Sequence, residues 1–303
     1  MARANPATIP ATAERFARAL RRATLALRPA RATFVYSPGY SAPGGGQLLD
    51  VDRGRRILGY LRHEGLLSRH DVVTPEPATM LELGRVHSAA YLESLPQPGT
   101  LDRILPGLME SGRERAVLQW QRLMAGGTVR AAKEALRSPR PAITLGGGMH
   151  HAHAGHGQGF CVFNDVAIAI EAARAGGFSG RVLVVDLDVH PGDGTRAIYA
   201  DDPDVFTCSV HASEWGEFEA IADRSVALGS GVGDRKYLMT LRTLLPEVAE
   251  LARPDLVFYV AGTDVAEEDR LGSWEVSAEG IAARDRLVVE LFGDLPFVWT
   301  LAG

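Results

Sequence analysis

The stretch Val182-Leu-Val-Val-Asp-Leu-Asp-Val-His190 joins a short apolar run to polar side chains at alternate positions. A continuous apolar run of this length is typical of a strand buried on both faces of a parallel sheet. Apolar runs and helical patterns alternate through the second half of the chain, at Ala142 to Leu145, Val162 to Ala173, Val182 to Leu187, Leu238 to Ala252, Leu256 to Ala261, Ile281 to Phe292 and Phe297 to Leu301. This alternation predicts an α/β fold with helices on both faces of a mostly parallel sheet.

The composition is that of an ordinary globular enzyme. Of 303 residues, 46% are hydrophobic and 23% are charged, and the formal net charge is -5. The negative charge argues against nucleic-acid binding and weakly favours a cationic substrate. Cys161 and Cys208 lie in apolar runs, which favours buried thiols and a reducing, cytoplasmic setting. No apolar stretch approaches the roughly 20 residues that a membrane span requires, so we expect no membrane association.

The N-terminal third carries helical patterns but few polar motifs. Apolar residues recur at helical spacing from Asp50 to Leu67 and from Glu114 to Leu136, which predicts two helices with one buried face each. Residues 1–33 are rich in Ala and Arg, and we interpret them as an extension that is helical from Thr12 to Leu27. A transit peptide is the alternative for this extension. One domain is expected over residues 34–303.

Polar residues follow three of the apolar runs directly. The run from Ala142 leads into Gly146-Gly-Gly-Met-His-His151, the run from Val182 leads into Asp186-Leu-Asp-Val-His190, and the run from Leu256 leads into Ala261-Gly-Thr-Asp264. In open parallel sheets, functional groups collect beyond the carboxyl ends of the strands, where the loops converge. We therefore expect these acids and histidines to lie close together.

The alternation of Asp186, Asp188 and His190 suggests a metal site. On an extended backbone, all three side chains would point to one side of the strand. Together with Asp264, Asp188 and His190 supply two carboxylates and one imidazole, the open three-ligand set of a catalytic zinc site. Ferrous iron accepts the same ligands. Asp-x-Asp and Asp-x-His pairs are also common in turns that bind no metal, and an α/β protein without metal is therefore an alternative.

A histidine pair follows three glycines, which let the backbone turn sharply and approach a ligand. His150 and His151 could share acid and base duties if their partners set the two pKa values apart, and Asp186 and Asp193 are candidate partners. His153 and His156 follow within a few residues. For those two we prefer a solvated loop over a histidine-rich metal tract.

Several motifs of the chain resemble those of the histone deacetylase family, which includes bacterial acetylpolyamine and acetoin-utilisation relatives. The matching segments are Gly146-Gly-Gly-Met-His-His-Ala152, Gly159-Phe-Cys-Val-Phe-Asn-Asp165, Val185-Asp-Leu-Asp-Val-His-Pro-Gly-Asp-Gly194, Ser209-Val-His211, Gly231-Val-Gly-Asp234 and Ala261-Gly-Thr-Asp264. Upstream, only Val86-His87 and Tyr91 are similar to the family. The resemblance implies the arginase/deacetylase fold, a three-layer α/β/α sandwich.

The resemblance also implies roles for the matching residues. Zinc would be held by Asp188, His190 and Asp264, and His150 and His151 would transfer protons. In the family each of these histidines is oriented by an aspartate, and the matching residues here are Asp186 for His150 and Asp193 for His151.

Further roles implied by the resemblance concern the substrate tunnel and a second cation. Phe160 matches a residue that helps to wall the narrow tunnel for the acyl-lysine stem, and Gly159 matches one that contacts that stem. Either Trp215 or Phe218 would form the opposite wall of the tunnel. A potassium ion is implied at the residues that match the family's monovalent-cation site, which are Asp186, Asp188, His190, Ser209 and Val210.

The chain departs from the deacetylase pattern at its C-terminal end and from the arginase pattern at Gly192. In the family, the strand that matches Phe297 to Leu301 leads into a glycine turn with a tyrosine that stabilises the oxyanion, and then a closing helix. The chain ends at Gly303, and we expect it to lack this turn and helix. Arginases need an aspartate two positions after the metal-binding histidine, where this chain has Gly192, so a binuclear site is disfavoured.

These features predict a zinc-dependent deacylase that hydrolyses acyl amides of lysine or of small amines such as polyamines. Metal and histidines would activate water, and a histidine would protonate the departing amine. The alternative is a metal-containing protein that binds acyl-amines with little turnover, because the oxyanion tyrosine is absent.

Overall fold

One eight-stranded parallel sheet organises the described part of the chain. The computed structural model describes residues 14–15, 17–19, 21, 31–41, 50, 52–109, 112–138, 140–215 and 220–303. The strands are β1 Thr33–Val35, β2 Val72–Val73, β3 Ala142–Thr144, β4 Val182–Asp186, β5 Val205–His211, β6 Asp223–Ala227, β7 Leu256–Val260 and β8 Phe297–Thr300. Their order in the sheet is β2-β1-β3-β8-β7-β4-β5-β6, and every pairing is parallel.

Helices connect the strands. From residue 31 onward, the described α-helices are α1 Arg53–His63, α2 Met80–Leu83, α3 Ala89–Ser94, α4 Thr100–Ile104, α5 Glu114–Arg137, α6 Asp165–Ala175, α7 Asp193–Ile198, α8 Asp234–Ala252 and α9 Ala278–Phe292. The Asn164 side chain caps α6 by accepting a hydrogen bond from the Ala167 backbone N–H. Within the described ranges, none of the helices has the length and apolar character needed to cross a membrane.

Side chains of the central strands alternate between two apolar layers. Val182 and Val184 of β4 belong to the core that includes residues of α5 and α6, whereas Leu183 and Val185 belong to the core beneath α8 and α9. Each fully buried aliphatic side chain contributes about 1.5–3 kcal/mol through the hydrophobic effect. The predicted three-layer α/β/α sandwich is confirmed, with each central strand buried on both faces.

The predicted bounds of the helices in the N-terminal third agree with the structure to different degrees. The prediction from Glu114 to Leu136 corresponds to α5, but the prediction from Asp50 to Leu67 is too long, because α1 ends at His63. Gly65 follows with a φ of 67°, a left-handed conformation that ends helices. Most of the helix predicted from Thr12 to Leu27 lies outside the described residues.

Four strands were not among the predicted segments. The strands β1 and β2 contain three and two residues, too few to show a periodic pattern. The sequence of β6 is Asp-Arg-Ser-Val-Ala, and this strand lies at the edge of the sheet with most of its side chains partly exposed. In β5, Thr207 and Ser209 interrupt the apolar run, yet both are buried because their hydroxyls contact Asp223 and His211.

The parallel sheet brings the predicted site segments to one edge. Because β4 and β7 are neighbours with the same direction, the loops that carry Asp188 and Asp264 leave the sheet side by side. The register pairs Asp186 at the end of β4 with Val260 at the end of β7. Residues far apart in sequence therefore meet beyond the carboxyl ends of the strands.

Candidate metal centre and histidine pair

Asp188, His190 and Asp264 form a compact cluster of possible metal ligands. One ligand atom from each residue can be chosen so that all three lie within 4.8 Å of one another. The His190 Nδ1 atom lies 3.1 Å from Asp188 Oδ1 and 2.8 Å from Asp264 Oδ2. Both carboxylates are buried, at 2% and 3% exposure. The arrangement brings together the three residues named from the sequence.

The predicted extended backbone from Asp186 to His190 is wrong. Strand β4 ends at Asp186, and residues 188–190 bend. The bend arises because each carboxylate accepts a hydrogen bond from the backbone two residues later: Asp188 N donates to Asp186 Oδ1 at 3.2 Å, and His190 N donates to Asp188 Oδ1 at 2.9 Å. The side chain of Asp186 consequently meets His150 instead of joining the ligand cluster.

Close packing of the two strand ends holds the carboxylates together. A β-carbon at Gly262 would lie 2.4 Å from Asp188 Oδ2 and 2.7 Å from Asp188 Cα, so only glycine fits between them. Val189 N also donates a hydrogen bond to Asp264 Oδ1 at 2.9 Å. The glycine in Ala261-Gly-Thr-Asp264 is therefore a spacing requirement of the cluster.

The charges in this cluster fit a cation. Burial and then the negative charge of Asp188 raise the pKa of Asp264 to about 7. Burial also opposes ionisation of Asp188, but His150 and His190 beside it hold its pKa well below the usual range. Two buried carboxylates this close repel each other when both are ionised, and a divalent cation between them would relieve that repulsion.

His150 and His151 each pair with a separate buried aspartate. His150 Nδ1 lies 2.7 Å from Asp186 Oδ2, and His151 Nδ1 lies 2.6 Å from Asp193 Oδ1. The two Nε2 atoms face each other at 3.2 Å, and His150 Nε2 is 3.8 Å from Asp188 Oδ1. Both Nε2 atoms therefore lie beside the ligand cluster.

The two imidazoles have opposite pKa shifts. Burial lowers the pKa of His150, but the carboxylates of Asp186 and Asp188 outweigh this effect and raise it to about 10. For His151, burial and then the positive charge of His150 lower the pKa to about 4, although Asp193 acts in the opposite direction. This difference between the two pKa values lets His150 hold a proton while His151 accepts one.

Asp165, at the start of α6, shapes the glycine turn before the histidines. Its carboxylate accepts hydrogen bonds from Gly148 N at 2.9 Å and Met149 N at 2.6 Å, and it also contacts the Thr128 hydroxyl. Gly147 has a φ of 79°, and a β-carbon there would lie 2.3 Å from Asp165 Oδ2. The triple glycine thus folds tightly around a buried carboxylate.

Aromatic side chains border the cavity that leads to this site. The Trp215 ring stacks on His151 with centroids 4.3 Å apart and an interplanar angle of 14°. Gly159 and Phe160 also line the cavity, which has a volume of about 570 Å³. Phe160 adopts a φ of 64°, and its backbone N–H donates to the Ile104 carbonyl at 3.0 Å. Phe218, the other predicted wall residue, lies outside the described residues.

Comparison with known proteins identifies the family. The sequence model of the histone deacetylase domain family matches residues 48–303. The chain belongs to the histone deacetylase family. It is 33% identical to histone deacetylase 2 of Arabidopsis thaliana over 84% of this chain and 68% of the relative. Its identity to the acetoin utilization protein AcuC of Bacillus subtilis is 30%, over 78% of this chain and 67% of the relative.

Two other similarities extend this result. An uncharacterized protein of Picosynechococcus sp. is 35% identical over 84% of this chain and 85% of its own length. Among solved structures, the HDA15 HD domain superposes with a TM-score of 0.75 over 91% of this chain and 85% of that one. At 23% identity, the HDA15 similarity supports the fold alone.

Two contacts of this deacetylase-family site were missed from the sequence. His153 Nε2 lies 3.1 Å from Asp193 Oδ2, and Gln158 Nε2 donates to the same oxygen. The interpretation of His153 as a solvated loop residue is wrong, because its side chain is only 21% exposed. His156 is exposed, and its ring stacks on His153. Histidine spacing gave no signal of these contacts, since they depend on the path of the loop.

Two arginines near the deacetylase-family site were also missed. Arg53 of α1 lines the cavity and donates from Nη1 to the Gly303 carbonyl at 2.9 Å. Arg284 of α9 is buried and donates from Nη1 to the carbonyls of Leu187 at 3.3 Å and Gly262 at 2.6 Å. Both arginines belong to amphipathic helical patterns, in which an arginine is expected on the exposed face. The sequence therefore did not predict that either one lies near the site.

The residues predicted to bind potassium surround the end of β4. Asp186 and Ser209 are register partners in the neighbouring strands β4 and β5. The Ser209 hydroxyl lies 2.8 Å from His211 Nδ1, and Val210 is buried. The backbone carrying Asp186, Asp188 and His190 bends around this point.

Proposed function

We propose that this chain is a zinc-dependent deacylase that hydrolyses acyl amides of lysine side chains or of small amines such as polyamines. Family membership supports deacylase chemistry in general. The observation that carries the finer proposal is the position of His150 and His151 beside the cluster of Asp188, His190 and Asp264. A cation-binding cluster beside two histidines with opposite pKa shifts suits hydrolysis of a neutral amide.

In this proposal, zinc would be held by His190 Nδ1 and by the carboxylates of Asp188 and Asp264. The donor set also accepts ferrous iron. When bound, the ion supplies a Lewis acid that polarises the amide carbonyl and makes water a better nucleophile. Potassium at the end of β4, near Asp186 and Ser209, is part of the same proposal.

In the proposed reaction, the histidine pair accepts a proton from water and gives one to the departing amine. His151, which burial and the charge of His150 keep neutral, accepts a proton from the attacking water at Nε2. Asp193 and Asp186 fix the Nδ1 protons of the two rings, so that both Nε2 atoms face the reaction. The departing amine then takes a proton from the pair. Fixed partners of this kind keep each ring in the tautomer that the chemistry needs.

The cavity walls support a substrate with an unbranched alkyl stem. Phe160 and Trp215 present aromatic surface near His151, which suits contact with methylene groups. Acylated lysine and acylated polyamines both carry such stems beside the amide. The net charge of -5 is compatible with their cationic remainder.

Two substrate classes test the proposal. The zinc-loaded chain is incubated with an acetyl-lysine peptide and with acetylputrescine, and free amine is measured. Release of amine from either substrate is expected, and a chelator should stop it. Tight binding of both substrates without release of amine would contradict the proposal and favour an acyl-amine binding protein.

A further inference from the structure

The carboxylate of Asp193 makes more contacts than orienting one histidine requires. Its Oδ1 atom pairs with His151 Nδ1 at 2.6 Å. Its Oδ2 atom lies 3.1 Å from His153 Nε2 and accepts a hydrogen bond from Gln158 Nε2. Asp193 is only 2% exposed, so water contributes little to satisfying it. Both oxygens of this buried group are therefore held by protein donors.

The donors arrive from two structural segments. His151 and His153 lie on the loop after β3, and the loop closes where His153 N donates to the His156 carbonyl at 2.9 Å. Gln158 begins the turn that carries Phe160, and this turn closes where Cys161 N donates to the Gln158 carbonyl at 2.8 Å. Asp193, at the start of α7, thus joins the histidine loop to the cavity wall.

A carboxylate held at one oxygen can rotate about its Cβ–Cγ bond, but donors at both oxygens fix its plane. A fixed plane keeps Oδ1 directed at His151 Nδ1. Groups that hydrogen-bond to metal ligands commonly change activity about 10- to 100-fold when they are removed, and we expect an effect toward the lower end of that range for groups that fix the Asp193 carboxylate. His153 and Gln158 are therefore placed to control His151 without touching the substrate.

We propose that His153 and Gln158 are positioning residues for the deacylation proposed above, acting on His151 through Asp193. Gln158 has a second effect, because the same hydrogen bond ties the turn of Phe160 to Asp193. Loss of His153 should therefore affect turnover, whereas loss of Gln158 should affect both turnover and substrate binding. The inference rests on the proposed function for its kinetic consequences, but not for its structural ones.

The kinetic test compares substitutions that keep or remove the donor. His153→Ala should lower kcat about 10-fold or more with little change in KM. His153→Gln should restore most of kcat, because the Gln Nε2 atom can occupy the place of the His Nε2 atom. His153→Asn is too short and should behave like alanine. Gln158→Ala should lower kcat and also raise KM.

His156→Ala is the matched control, since it removes the ring stacked on His153 but no donor to Asp193. It should keep the wild-type kcat and KM. Equal kinetics in His153→Ala, Gln158→Ala and wild type would overturn the inference. So would equal losses in His153→Ala and His156→Ala, because packing would then explain both.

A second measurement does not depend on activity. An imidazole N–H bonded to a buried carboxylate gives a low-field proton signal in NMR, and Asp193→Asn assigns the one from His151. This signal should weaken through faster exchange in the double variant His153→Ala/Gln158→Ala and persist in His153→Gln and His156→Ala. An inactive wild-type chain with this pattern would contradict only the proposed function. An unchanged signal in the double variant would overturn the positioning role.

Discussion

The Nε2 atoms of His150 and His151 lie 3.2 Å apart, although each ring is bound through Nδ1 to a different buried aspartate. This contact couples the two rings, because a proton on His150 disfavours one on His151. The carboxylates of Asp186 and Asp188 keep the proton on His150. Adjacent residues in the sequence therefore acquire opposite acid–base properties from their partners.

Replacement of either histidine should separate activity from metal binding. His150→Ala and His151→Ala remove a proton-transferring group but none of the three clustered ligands. Turnover is expected to fall about 100- to 10,000-fold, while the bound metal measured by elemental analysis stays at the wild-type level. Wild-type turnover in both variants would show that the pair takes no part in the reaction.

Removal of any clustered ligand should weaken metal binding. Asp188→Ala, His190→Ala and Asp264→Ala each delete one of three donors, so the dissociation constant for zinc should rise sharply. The exposed Asp204→Ala is the control and should bind zinc as the wild type does. Competition with a chromogenic chelator measures these constants. Unchanged affinity in all three ligand variants would place the metal elsewhere.

The spacing glycine should be intolerant of substitution. In Gly262→Ala the new β-carbon would lie 2.4 Å from Asp188 Oδ2, so the strand ends must separate. Both zinc affinity and the free energy of unfolding should fall. Gly59→Ala on α1 meets no atom within 4 Å and serves as the control, which should keep zinc affinity. Wild-type zinc affinity in Gly262→Ala would refute the spacing role.

Burial of His87 should make stability depend on pH. Burial lowers the pKa of His87 to about 4, and its ring is held between Asn164 N at 3.1 Å and the His153 carbonyl at 3.0 Å. The unfolded chain therefore binds a proton at His87 more readily than the folded chain does. The contribution of the neutral, buried ring to the free energy of unfolding is present above about pH 6.5 and is lost as the pH falls toward 4. Denaturant titrations of the wild type and His87→Gln should show a smaller pH dependence in the variant. Equal pH dependence would contradict this account.

The strand-end rule explains why the main site could be anticipated. Asp188 and Asp264 follow runs that are apolar enough to identify as buried strands, and parallel neighbours must deliver their following loops to one edge. The rule locates residues but not their side-chain directions. For that reason the alternation of Asp186, Asp188 and His190 was misread as an extended strand, whereas hydrogen bonds to the backbone bend it.

The remaining features depend on contacts that no local pattern encodes. His153 and Gln158 meet Asp193 only after the histidine loop and the Phe160 turn have folded against α7. Arg284 reaches the Leu187 and Gly262 carbonyls from a helix that packs beneath the sheet. Periodicity identifies which elements form, but long-range pairing decides which polar groups meet.

A metal titration tests the central claim most directly. The chain is freed of metal with a chelator, zinc is added back in steps, and amine release from an acetyl-lysine peptide and from acetylputrescine is followed at each step. If Asp188, His190 and Asp264 hold one catalytic ion, activity should rise from zero and reach a plateau at one zinc per chain. Activity that is independent of zinc, or a plateau at two ions per chain, would contradict the account.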